Sequence, residues 1–114
     1  MAFKKNPFRL NKLQLRTLAL TQILAKNAAK NQKETASGEI TLTSFPYPHG
    51  DHVHIGPYIV SPRDISGFSN PSVWAILARR GLVRVESPTS ITITADGMAY
   101  ETGLSDKFTM PSAH

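Results

Sequence analysis

Residues 61–83 read SPRDISGFSNPSVWAILARRGLV, and this stretch decides how the chain folds. It holds two helix-start devices in succession. Ser61-Pro62 places a hydroxyl before a proline at the first helical position, with Asp64 at the third, and Asn70-Pro71 repeats the arrangement. Gly67 lies between them and permits a sharp turn. A short first helix over 62–66 and a second over 71–80 follow, the second stopping at Gly81 with Arg79 and Arg80 in its last turn, where the helix dipole favours cations. Val73, Ile76 and Leu77 give the second helix one apolar stripe, and Ile65 and Phe68 are placed to close the corner between the two helices. Ser69, Ser72, Ala75 and Arg79 fall on its outward face, with Trp74 at the edge of the stripe.

Downstream, Leu82-Val83-Arg84-Val85 and Ile91-Thr92-Ile93-Thr94 alternate with a period of two and are joined by Glu86-Ser87-Pro88-Thr89-Ser90, which predicts a β-hairpin. Thr94 can cap a closing helical turn over 95–101, before Gly103. Upstream, residues 10–26 hold good helix formers with neither Gly nor Pro and read as one helix. At about 100° per residue, Leu10, Leu13, Leu20 and Leu24 share one arc, while Leu15, Leu18 and Ala19 lie nearly opposite. Both sides need cover, either in a deep core or against a second copy of the chain. The second alternative implies a homodimer through helix 10–26.

Between these regions, residues 27–38 (NAAKNQKETASG) can extend the helix through Ala28 and Ala29 and then act as linker to Ser37-Gly38. Ile40 and Leu42 alternate with Thr41 and Thr43, and Val53 and Ile55 alternate with His52 and His54. Pro46-Tyr47-Pro48-His49-Gly50-Asp51 between them is turn chemistry, so a further hairpin is expected here, and Pro57 limits ladder pairing of Tyr58-Ile59-Val60. The whole reads as an α+β chain of one domain over 10–104, with a basic flexible arm over 1–9 and a tail over 105–114.

Charge is uneven. The formal net charge is +5 over 114 residues. Residues 1–33 carry Lys4, Lys5, Arg9, Lys12, Arg16, Lys26, Lys30 and Lys33 and no acidic side chain, whereas residues 34–114 hold five basic and eight acidic, a net −3. Attraction to a polyanion is therefore concentrated in the first third, where a solvated helix face is the plainer explanation of the same charges. The chain has no cysteine, which excludes a disulfide scaffold and thiolate zinc sites and fits a reducing, cytoplasmic compartment. No apolar run approaches the roughly 18–20 residues that cross a bilayer.

Taken in order, the long helix, strand material, short helix, turn, helix with a Gly stop and hairpin resemble a winged helix-turn-helix domain, broadly of the MarR type. The resemblance covers residues 61–97 well and the rest loosely. Its most specific pieces are the run from Asp64 to Val83, within which Arg80-Gly81-Leu82-Val83 leads into the wing, and the exit Ile93-Thr94-Ala95-Asp96-Gly97. It implies a winged-helix fold carrying a long N-terminal helix and an additional β-hairpin, and a bacterial-type transcriptional regulator that binds double-stranded DNA as a homodimer. Ser69, Asn70, Ser72, Ala75, Arg79 and Arg80 would meet the major groove and Arg84 the backbone. The presumed recognition helix departs from many members in offering only serines and one arginine outward, so a degenerate winged helix serving protein–protein association is the alternative.

His49, Asp51, His52 and His54 form the other unusual cluster. His52 and His54 share a strand face and the remaining two lie in the adjoining turn, so imidazoles and a carboxylate suited to zinc or a similar divalent ion can converge. Structural zinc usually takes four ligands, and a polar strand face with a turn aspartate explains the same residues. No Gly-rich phosphate loop and no G-x-S-x-G elbow occurs, and nothing places His, Asp and Ser in a triad, so an enzyme is not expected and no cofactor is required.

Overall fold

Helix α1 (Lys12–Ala29) begins with a reciprocal cap. Asn11 Oδ1 accepts the Gln14 N–H at 2.8 Å, and Gln14 Oε1 accepts the Asn11 N–H at 2.9 Å, so two amides that the helix leaves unpaired are satisfied. Residues 6–29, 38–43, 45, 53–55, 58–87 and 90–104 are described in this computed structural model. Strands β1 (Ile40–Leu42), β2 (Val53–Ile55) and β3 (Tyr58–Val60) follow α1, then a 3-10 helix (Pro62–Ser69), α2 (Pro71–Arg79), β4 (Val83–Ser87), β5 (Ser90–Ile93) and α3 (Ala95–Ala99). The architecture is mixed α+β with small antiparallel sheets.

The middle turn of α1, Thr17 to Thr21, is buried on every side. Leu10, Leu13, Leu15, Leu18 and Ala25 pack with α2 and the larger sheet, through Val73, Leu77, Leu82 and Ile93. Ala19, Leu20 and Ile23 pack on the other side against Val53, Ile55, Val60 and Ile65, and Leu24 touches both clusters. Thr17 and Thr21 fit the interior because their hydroxyls donate back to Leu13 O (2.8 Å) and Thr17 O (2.6 Å). The two apolar sides of the helix are thus covered within one chain, so its amphipathy supplies no argument for a homodimer.

The strand pairing differs from the one read along the sequence. β1 does not pair with β2. It adds to the later hairpin, giving the order β1-β5-β4, with Ile40 opposite Ile93, Thr41 opposite Thr92 and Leu42 opposite Ile91. Alternation specifies which face a strand buries but not its partner. Here the partner satisfies a buried group: Thr92 is only 2% exposed, and its hydroxyl lies 2.7 Å from that of Thr41. The additional hairpin is β2–β3 instead, with Val53 opposite Val60 and Ile55 opposite Tyr58. Tyr58–Val60 therefore does join a ladder, since a proline just ahead of a strand removes no hydrogen bond from within it. The stretch 46–51, expected as the loop of a longer hairpin, and His52, expected on its second strand, lie outside the described residues.

The 3-10 helix extends to Ser69, beyond the expected 62–66, and the Ser61 N–H donates to Asp64 Oδ2 at 3.3 Å. Arg16 of α1 lies 3.4 Å from Asp64, fastening the two elements. Gly67 turns out to be a packing residue, because a β-carbon there would overlap Thr17 Oγ1 and sit 3.1 Å from Thr17 Cβ. Gly81 has the opposite reason: its φ is +76° and nothing lies within 4 Å of a β-carbon. The Leu82 and Gly81 N–H groups reach back to Leu77 O and Ala78 O, each at 3.0 Å, a Schellman closure that needs the left-handed residue.

At the termini of the described chain, Asn6 to Leu10 is bound to the domain, although 1–9 was expected as an arm and 1–5 lies outside the described residues. The Asn6 side chain donates to Leu10 O (2.9 Å) and accepts the Leu10 N–H (2.8 Å), and Tyr100 Oη donates to Asn6 Oδ1 at 2.6 Å. The tail over 105–114 is likewise outside. Gln22 of α1 donates to Gly97 O and Tyr100 O at 2.8 and 2.9 Å, so α3 closes against α1. In urea melts, Gly67→Ala is expected to cost about 2–3 kcal/mol by overpacking, recovered in part by adding Thr17→Ala. Gly81→Ala should cost only about 1 kcal/mol, the left-handed penalty. Equal losses that Thr17→Ala leaves untouched would contradict the packing role of Gly67.

Candidate functional site

Helix α2 is placed by its cap and its core side. Asn70 Oδ1 accepts the Ser72 N–H at 3.0 Å, and Pro71 follows at the first helical position, where its missing N–H removes no bond. Val73, Trp74 and Leu77 are buried. The opposite side leaves Pro71, Ser72, Ala75 and Arg79 exposed, with Ser69 exposed just before the helix. Of the sequence-predicted residues, Ser69, Ser72, Ala75 and Arg79 thus share one wet face. Asn70 is engaged as the cap. The Ser69 hydroxyl donates to Ser66 O at 3.2 Å.

Trp74 is buried and lies against aromatic neighbours. Its Nε1–H donates to Phe68 O at 2.9 Å, and the Phe45 and Phe68 rings lie 5.7 and 6.0 Å from it. These three rings, with Val85 and Ile91, wall an open groove of about 500 Å³ between α2 and the hairpin. Ser69, Pro71 and Ala75 also line it, so the exposed helix face and the groove are one continuous surface. Val85 is half exposed there, at 50%. The sequence offered little sign of this groove, because Phe45 sits in no periodic segment and Val85 was read only as part of an alternating strand.

The two remaining arginines have partners from distant parts of the chain. Arg84 on β4 is held by Glu39, through Nη1 to Oε2 and through Nη2 to Oε1 at 2.9 Å, and its Nε donates to Glu86 Oε1 at 3.2 Å. The Glu39 carboxylate, and after it Glu86, push the Arg84 pKa above the usual arginine value, so no accessible pH discharges it. Its charge is locally neutralised. Arg80 stands over the Phe8 ring, with its guanidinium carbon 5.4 Å from the ring centre.

Of the four candidate metal ligands, His54 projects from β2 on its exposed face, while His49, Asp51 and His52 lie outside the described residues. Among the described residues, no three His, Asp or Glu side chains are grouped to hold a metal ion. No helix among the described residues is long and apolar enough to cross a membrane.

Comparison of the chain with protein-family models, with curated proteins and with solved structures returns no match. The electrostatics of β4 can be tested without knowledge of a partner. Glu39→Gln combined with Glu86→Gln is expected to release the Arg84 charge and delay elution from a heparin column in a salt gradient, more than the same pair does on an Arg84→Ala background. Equal delays on both backgrounds would mean that the carboxylates do not mask the arginine.

Proposed function

We propose that this chain is a small winged-helix protein that binds double-stranded DNA and regulates transcription. The observation that carries this reading is the exposed face Ser69, Ser72, Ala75 and Arg79 on a helix that is capped at its start, backed by its own core and joined through Gly81 to a β-hairpin. The sheet order β1-β5-β4, with the early strand added to the hairpin, supports it, because a short helix, a second helix and a two-stranded wing beside an early strand make up that fold. In this arrangement α2 enters the major groove. Small Ser and Ala side chains let the helix approach closely, hydroxyls meet base edges, Ala75 meets a thymine methyl, and Arg79 pairs with a guanine or a phosphate. The hairpin lies over the backbone. Both sides of α1 are buried in one chain, so the reading does not depend on a homodimer.

Fluorescence anisotropy with labelled duplex is the test, and affinity should fall steeply with salt because phosphate neutralisation releases counterions. Arg79→Ala should weaken binding by roughly 1–3 kcal/mol and relax preference at one base pair. Unmeasurable affinity at about 50 mM salt would remove the proposal.

A second reading, a protein-association module without DNA binding, is favoured by the apolar groove and by the neutralised Arg84. Its partner would bring an apolar segment to Trp74 and Val85. Val85→Lys separates the two, since a cation at this position should preserve or strengthen duplex binding and should block an apolar partner.

A further inference from the structure

The cations of the described chain fall into two groups. Arg16 is paired with Asp64, and Arg84 with Glu39 and Glu86. Among the described residues, no carboxylate pairs with Arg9 or Arg80; Arg9 follows Phe8 in the chain, and Arg80 stands over the Phe8 ring. Arg80 lies over one side of the Phe8 ring at 5.4 Å, and Tyr100 stacks on the ring at 5.6 Å and 25°. The Phe8 N–H donates to Tyr100 Oη at 3.0 Å, which in turn donates to Asn6 Oδ1. Phe8 is nevertheless 41% exposed, so the stack is held at the surface. A guanidinium stacked on an aromatic face keeps the N–H donors in its plane available, which fixes its direction without consuming its hydrogen bonds.

Arg9 adds a second peculiarity. Its φ is +54°, in the left-handed region, and Asn6 has φ +53°. Asparagine adopts that conformation readily, whereas arginine does so only when its surroundings impose it. The bracket between the Asn6 side chain and Leu10, together with the Arg9 N–H donating to Asn6 O at 3.0 Å, imposes it here. Glycine or asparagine would suit the backbone better, and the Arg9 side chain is exposed, so packing does not explain the arginine. Complementing the dipole at the end of α2 accounts for Arg79 and Arg80 but not for Arg9, which belongs to no helix. Glu101, whose carbonyl accepts the Asn6 N–H at 2.8 Å, turns its carboxylate to the Gly103 N–H at 3.2 Å.

We infer that Arg9, next to Phe8 in the chain, and Arg80, over the Phe8 ring at the C-terminal end of α2, form a clamp for the phosphate backbone of duplex DNA, separate from the Ser72–Ala75–Arg79 face that meets the bases. The inference rests on the DNA reading above and assigns it a second contact. The clamp takes phosphates as such and is indifferent to sequence.

The experiment compares duplex binding of the wild type, Arg9→Asn, Arg80→Ala and Lys26→Ala over a range of salt concentrations, alongside thermal melts. Lys26 is the control, because it is exposed and lies about 21 Å along α1 from Lys12. Arg9→Asn is expected to melt at or above the wild-type temperature, relieved of its strained backbone. It should bind every duplex several-fold more weakly, with the slope of log affinity against log salt reduced by about 1. Arg80→Ala should reduce the slope similarly and Lys26→Ala should not. Wild-type slopes in both arginine variants would overturn the clamp and leave the DNA reading standing. A loss confined to particular sequences would also overturn it, because it would make Arg9 or Arg80 a base reader. A wild type that binds no duplex would remove both proposals.

Discussion

A helix that can leave no side in water governs this molecule. From Thr17 to Thr21 every side chain of α1 is buried, and two separate apolar clusters are needed to achieve it. Each fully buried Leu side chain contributes roughly 1.5–3 kcal/mol, so the elements around α1 are disposed to cover it. The β2–β3 hairpin and Ile65 close one side. Helix α2, the three-stranded sheet and Leu10 close the other. Helix α2, which needs only one buried stripe, is then the helix with a wet face to offer.

The 3-10 helix owes its position to the same constraint. It lies close enough to α1 that Gly67 has no room for a β-carbon beside Thr17, and the Arg16–Asp64 contact fastens the approach. Its end fixes Asn70, Asn70 caps α2, and α2 delivers Gly81 to the hairpin. Thr94 then closes the circuit: its hydroxyl lies 2.7 Å from Gly81 O and accepts the Gly97 N–H at 3.0 Å, joining the end of the hairpin to the start of α3. The exposed face of α2 is thereby held by backbone and cap interactions on both ends, as the proposed contact with DNA requires.

What the sequence disclosed and what it hid follow from the range of the interactions concerned. Asn70-Pro71, Gly81 and Thr94 act within a few residues, and their helix boundaries were legible from chemistry alone. The outward set Ser69, Ser72, Ala75 and Arg79 followed from helical periodicity once α2 was placed. Strand partners were not legible, because alternation at Ile40 and Leu42 says nothing of β5, which lies across 51 residues from Thr41 to Thr92. The roles of the arginines were hidden for the same reason. Glu86, two residues on from Arg84, is a visible neighbour of opposite charge, but Glu39 and Phe8 come from remote segments, and nothing in Arg79-Arg80 announces that one of the two will stand on an aromatic ring. Gly67 was legible as a glycine that matters, but its purpose was close packing and not a turn.

Charge and shape together make α2 the centre of the account, with the hairpin contributing apolar surface at Val85 more than a free cation. The most direct measurement is an amide NMR titration of the isotope-labelled chain with a short duplex. Resonances of Ser69, Ser72, Ala75 and Arg79 are expected to shift while those of Leu18 and Leu20 inside α1 stay in place. Shifts confined to β2 and β3, or a spectrum that a saturating duplex leaves unchanged, would contradict it.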